Sequence, residues 1–210
     1  MMAVRSPSIE NGCMKFLNRL FGRPDPAQPV RILRVTYAIE IRSPDHAYLT
    51  QETRWRSAVA GLTHYREAIP IGGGRIDRIR ASLGTLRPVE EAPAGDPARQ
   101  IRYEVDLPAP AKRDDEGIQV LSAILTDPFT AAEPGFSFRP IYPAEAIGLS
   151  IVFPLTQPPR DVVLARVDGA IPTPDDTPLQ ASSRADGREI WRWLKDSPPA
   201  GAAYRLTWWW

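Results

Sequence analysis

The sequence predicts an all-β protein: an antiparallel β-sandwich, of which the immunoglobulin-like type is one form, preceded by a short amphipathic N-terminal helix. Three observations carry this reading. Proline accounts for 23 of the 210 residues, about twice ordinary usage. Each interior proline removes a backbone donor and costs a helix ~3 kcal/mol, so the spacing leaves little room for the long helices of a bundle. From Val30 onward, β-branched and aromatic residues alternate with polar ones, the period of a half-buried strand. Clusters of proline, glycine and aspartate separate the alternating runs at short intervals. With no helical segments regularly between them, the runs fit an antiparallel sandwich better than a parallel α/β sheet.

The length suits one domain with a short appendage, divided here into a tail over residues 1–29 and a sandwich over residues 30–210. In the tail, Cys13, Phe16, Leu17, Leu20 and Phe21 fall at i, i+3, i+4, i+7 and i+8, on one helical face, with Lys15, Asn18 and Arg19 opposite. The helix ends at Gly22, and Pro24, Pro26 and Pro29 impose an extended linker. Met14 opens the helix and is an equally good translation start. Asn18 and Arg19 interrupt the apolar stretch, against a signal peptide.

The first long strand runs from Val30 to Arg42. Further strands are expected from Gly74 to Ser82, Gln100 to Leu107, Gly117 to Thr126, Ala146 to Pro154, Asp161 to Asp168, Arg188 to Lys195 and Ala203 to Trp210. Residues 93–97, 158–159, 172–176 and 198–201 carry the turn chemistry between them. Residues 51–69 admit two readings. Trp55, Val59, Leu62 and Ile69 approximate helical spacing, while the β-branched and aromatic content around Gly61 fits a hairpin, which is preferred. Residues 128–145 hold four prolines and read as a loop with one short strand from Phe136 to Ile141.

Charge and composition exclude several functions. With 26 basic and 25 acidic residues the net charge is +1, which provides no broad field for counterion release from nucleic acid. The single cysteine, Cys13, forms no intramolecular disulfide, and two histidines, His46 and His64, are too few for the usual zinc ligand sets. Neither a metal nor a cofactor is expected. No run of ~18 apolar residues is present to span a bilayer as a helix, and the chain is expected to be cytoplasmic. Three lysines among the 26 basic residues leave an arginine bias that suggests a GC-rich bacterial gene.

No motif names a family, and no catalytic constellation emerges. Gly148-Leu149-Ser150 starts like a nucleophile elbow but runs on into β-branched residues, so Ser150 reads as a strand residue. The run Gly72-Gly73-Gly74-Arg75 could cradle an anion, but it lacks both phosphate-loop spacings and reads as a hairpin turn. Glu90-Glu91, Asp114-Asp115-Glu116 and Asp175-Asp176 lie in connectors, where solvation leaves carboxylates without separated pKa values. An enzyme would need Arg75 or Arg139 to converge with a loop carboxylate such as Asp114.

The C-terminus is the most unusual feature. Five of the six tryptophans fall in the last 20 residues. Trp191 and Trp193 share one face of a strand, Tyr204, Leu206, Trp208 and Trp210 share a face of the next, and Trp209 points the other way. A terminal hairpin dense in aromatics is expected, with Trp191, Arg192, Trp193, Arg205 and Trp209 as candidate binding residues. The functional expectation is therefore a non-catalytic module that binds a protein partner through this hairpin or through Phe16, Leu17, Leu20 and Phe21 of the helix. The same helix, within residues 14–23, could instead rest on a membrane surface. The alternative is a sandwich that stacks a carbohydrate or small ligand on the tryptophans. Arg54, Arg56 and Arg66, with Arg75, Arg78 and Arg80, leave a local anion-binding patch open despite the neutral total.

Overall fold

A computed structural model describes residues 28–91, 100–168 and 171–210. The amphipathic helix, its linker to Pro26 and the 93–97 turn lie outside these residues. Fourteen strands form in the described residues: β1 (Val30–Ser43), β2 (His46–Ser57), β3 (Leu62–Pro70), β4 (Arg75–Ala81), β5 (Thr85–Glu91), β6 (Gln100–Ala111), β7 (Glu116–Thr126), β8 (Gly135–Phe138), β9 (Ala146–Val152), β10 (Asp161–Asp168), β11 (Ile171–Pro174), β12 (Gln180–Ser183), β13 (Glu189–Asp196) and β14 (Ala203–Trp209). The described part is all-β, as the alternation predicts.

A seven-stranded sheet in the order β12-β13-β9-β1-β2-β7-β4 forms one layer. A four-stranded sheet, β11-β10-β14-β8, and a three-stranded sheet, β3-β6-β5, cover its inner face. The coverage is visible in the ring contacts. Tyr37 of β1 packs on Phe136 and Phe138 of β8, Trp193 of β13 on Tyr204 of β14, and Trp55 of β2 on Tyr65 of β3. Alternation along β1 and β2 sends Val35, Tyr37, Ile39, Ile41, Ala47 and Leu49 into this core. A bulge between Ile32 and Arg34 shifts the phase of β1, which is why Ile32 and Val35, three residues apart, both face inward.

Several expectations need correction. The sheets are not wholly antiparallel, because β9 lies parallel to β1. Ile147, Leu149 and Ile151 of β9 face the core, while on the other side Gly148 is shielded by the side chains of Thr36 and Leu194. Three sheets with a parallel pair at the centre are not the four-plus-three antiparallel immunoglobulin arrangement. Residues 51–69 are extended rather than helical, yet β2 and β3 do not pair. The chain turns at Gly61 (φ 74°) and crosses to the other layer. Both edges of β2 are already bonded to β1 and β7, so no edge remains for β3.

The same logic undoes the C-terminal hairpin. β13 is bonded on both sides by β12 and β9, and β14 by β10 and β8. The Pro198–Gly201 turn therefore makes an arch between layers. β5, β11 and β12 carry no strong sequence signal. Pro88 sits in β5, and Pro172 and Pro174 in β11, all on outer strands of their sheets, where a missing donor is tolerated.

Candidate functional site

The five C-terminal candidates do not form one surface. Trp193 is 3% exposed, and its indole Nε1 donates to Asp175 Oδ1 at 3.2 Å. Trp191 packs against the core and donates to Glu189 Oε2. Arg192 faces the outside of the seven-stranded sheet and donates to Ser182 Oγ at 2.9 Å. Arg205 and Trp209 are exposed on the outer face of the four-stranded sheet, in another layer. Tyr204, Leu206 and Trp208 are fully buried, and Trp208 meets Phe129, Phe153 and Trp210 edge-on. The aromatic density is thus spent on packing three sheets together, where each ring removes ~150–250 Å² from water. Phe16, Leu17, Leu20 and Phe21 lie outside the described residues.

Potential acid–base groups are similarly committed. Asp175, read from sequence as a solvated turn residue, has a side chain 3% exposed, fixed by Trp193 and by Lys195 at 3.5 Å. Lys195 also bonds Asp176, and this holds the Asp176 carboxyl below its usual range. His64, Glu104 and Asp106 bring ligand-type atoms within 4.8 Å of one another. The β3–β6 register explains it, since His64 faces Asp106 and Arg66 faces Glu104. Arg87, from β5, bonds Asp106 through Nε and Nη2 at 2.6 Å and Glu104 through Nη2 at 2.5 Å. Its guanidinium already supplies the positive charge these carboxylates attract and holds Asp106 below the ordinary range. Arg75 faces Thr126 at one end of β7, while Asp114 lies just before the other end, roughly 30 Å away at ~3.3 Å per residue. These two do not converge.

A carboxyl group is sealed in the core. Glu67, on the inner face of β3, is 6% exposed and accepts from Gln51 Nε2 at 2.9 Å. Burial pushes its carboxyl up to about 8, against the lowering effect of Thr53 and Gln51. The same burial, with Glu67 nearby, raises Tyr37 and Tyr65 well above the phenol range. Sequence reading missed Glu67, although its position two residues from Tyr65 and two from Ile69 placed it on their inward face.

A continuous row of residues crosses the outer face of the seven-stranded sheet. Register places Arg192, Ser150, Ala38, Thr50, Ser122 and Arg80 side by side across β13, β9, β1, β2, β7 and β4. Four small side chains thus floor a shallow trough with an arginine at each end. Five strand spacings of ~4.8 Å make it roughly 24 Å long. At the β4 end a depression of about 270 Å³ is lined by Tyr48, Thr50, Arg78, Arg80, Ser122 and Ile124. Tyr48 is 42% exposed and Leu194, on the opposite flank, 45%.

The charges on this face are unequal. Glu52 pairs with Arg54, Glu116 with Arg56, Asp77 with Arg75, and Glu40 with Arg42 and Arg188. Arg34, Arg78, Arg80 and Arg192 make no ion pair among the described residues, so the face carries surplus positive charge. Of the arginines singled out from sequence, Arg66 lies on the three-stranded sheet instead. Arg34 and Tyr48 were missed, for only the register reveals which residues share a row.

No protein-family profile matches this sequence, and no curated protein matches it. Solved structures do match in shape. A putative protease from Parabacteroides distasonis shares 12% identity with a TM-score of 0.51, over 85% of this chain and 40% of its own. An M1 zinc metallopeptidase from Deinococcus radiodurans shares 11% identity with a TM-score of 0.49, over 85% of this chain and 42% of its own. The chain thus spans about two-fifths of the structures it resembles. At this identity the likeness to the Parabacteroides protein is one of fold.

Proposed function

We propose that this chain is a non-catalytic interaction module that binds an acidic protein partner along the outer face of its seven-stranded sheet. The observation that carries the reading is the trough from Arg192 to Arg80, with its surplus arginines and small-residue floor. Its occupant is chosen by charge complementarity. Glu40, Glu52, Asp77 and Glu116 on this face are already paired, so four arginines, against the single carboxylate of Asp196, remain for carboxylates from outside. Exposed Tyr48 and Leu194 add the aromatic and apolar contact that concentrates binding energy. The proposed binding surface thereby moves from the C-terminal aromatics, most of which pack in or against the core, to a face that keeps one of the five candidates, Arg192.

The test is affinity capture from a lysate of the source cell with the full chain as bait. The wild type is compared with Arg78→Glu/Arg80→Glu and with Ala38→Trp, which fills the trough and leaves its charges. A stoichiometric acidic protein retained at low salt by the wild type and lost in both variants is the expected result. Equal retention by all three proteins, or no stoichiometric partner at any salt concentration, would overturn the reading.

A further inference from the structure

A second recess lies on the far side of the molecule from the trough, where three segments distant in sequence meet. Its volume is about 210 Å³, and its lining includes Gly72 and Gly73 from the β3–β4 turn, Glu133 and Gly135 from the approach to β8, Ser137 of β8 and Arg205 of β14. Two features weighed separately in the sequence, the glycine run and Arg205, thus face one space. The run is not an anion cradle of free amides, because the Gly73 N–H donates to Pro128 O at 3.0 Å. Arg75 points elsewhere, to Asp77.

The glycines instead let the β3–β4 turn lie close against Pro128, another residue of the lining. A Cβ at Gly72 would stand 3.1 Å from Pro128 O, and one at Gly73 3.3 Å from the same atom. Gly135 has a different task. A Cβ there would lie 2.9 Å from Leu206 O and 3.3 Å from Arg205 Nε, so its absence lets β14 and the Arg205 side chain approach β8 closely. Arg205 and Ser137 are direct cross-strand partners, which sets a guanidinium beside a hydroxyl. Glu133 supplies the opposite charge on the same lining. Neither Arg205 nor Glu133 makes an ion pair among the described residues, and they do not pair with each other across the space.

We propose that this recess binds a small zwitterion, a molecule of amino-acid size that carries one carboxylate and one ammonium group. Arg205 takes the carboxylate with Ser137 as an additional donor, and Glu133 takes the ammonium. A lone anion would leave Glu133 unanswered and a lone cation would leave Arg205 so, whereas a zwitterion satisfies both. The volume lies below the ~300–1,000 Å³ of sites for drug-sized ligands, which limits the ligand to a few heavy atoms. This site is independent of the docking face, so either can fail without the other.

Calorimetric titration of the full chain with alanine, γ-aminobutyric acid, acetate and methylammonium tests the proposal. Saturable binding of at least one of the two zwitterions is expected, with acetate and methylammonium at least about tenfold weaker. Arg205→Gln and Glu133→Gln, both exposed and each leaving the fold intact by far-UV circular dichroism, are expected to weaken the zwitterion at least about tenfold. Gly73→Ala is expected to weaken it with both charges in place. No saturable binding of either zwitterion up to about 10 mM, binding of acetate as tight as the zwitterion, or affinity unchanged in Arg205→Gln would overturn it.

Discussion

Replacing Glu67 by glutamine tests the polar seam between the seven- and three-stranded sheets. The unfolded chain releases the Glu67 proton near the ordinary value of 4.5, whereas burial delays release in the native state to about 8. Between these limits the native state holds one proton more than the unfolded state, so stability falls as pH rises, by ~1.4 kcal/mol per pH unit. Over the whole interval the loss amounts to roughly 5 kcal/mol, a large part of the ~5–15 kcal/mol that holds a domain together. Below 4.5 both states are protonated and above 8 both are ionised, so the loss is confined between them. In Glu67→Gln the amide oxygen still accepts from Gln51 Nε2, and no proton is at stake. Urea unfolding of both proteins from pH 4 to pH 9 isolates the effect, because every other titrating group cancels in the difference. The variant is expected to match the wild type near pH 4 and exceed it by several kcal/mol at pH 9. Parallel curves across this range would refute the assignment of a proton to Glu67 at neutral pH.

Two further outcomes check the packing. Trp193→Ala removes a ring wedged between Phe138 and Tyr204 and leaves Asp175 without its indole donor, so a loss of about 3–5 kcal/mol in urea unfolding is expected, against ~0.5 kcal/mol for Trp209→Ala on the outer face. Gly84 and Gly61 both have positive φ, but a Cβ at Gly84 would fall 1.9 Å from Asp106 O while one at Gly61 meets nothing within 4 Å. Gly61→Ala is therefore expected to cost ~1 kcal/mol of backbone strain and Gly84→Ala substantially more, read by thermal unfolding of the two variants side by side.

The candidate surfaces were legible only in fragments. Arg192 and Arg205 could be singled out as exposed cations beside aromatics, and Arg78 and Arg80 as alternating charges on one strand, because each judgement needs only the local period. That Arg192 and Arg80 end the same trough depends on six strands lying in register, four of them with small residues at that level. Likewise, Gly72 and Arg205 are 133 positions apart and share a recess only because β8 and β14 pair beside the β3–β4 turn.

What the sequence determined by itself is the state of each segment. Period two over most of Val30–Ser43, proline at intervals that deny helices, and Gly61 and Gly201 in turn-forming segments settle strands and the points where the chain reverses. These are properties of a few adjacent residues and their backbone sterics. Partner choice belongs to the tertiary structure. Residues 51–69 and the last 22 residues both read as hairpins and both became arches, since the neighbours that occupied the edges of β2, β13 and β14 come from elsewhere in the chain. A strand has two hydrogen-bonding edges, and which segments fill them is decided by the burial of whole faces. The same competition drew Trp193 and Trp208 into the core and left arginines on the open face, where charge keeps its water.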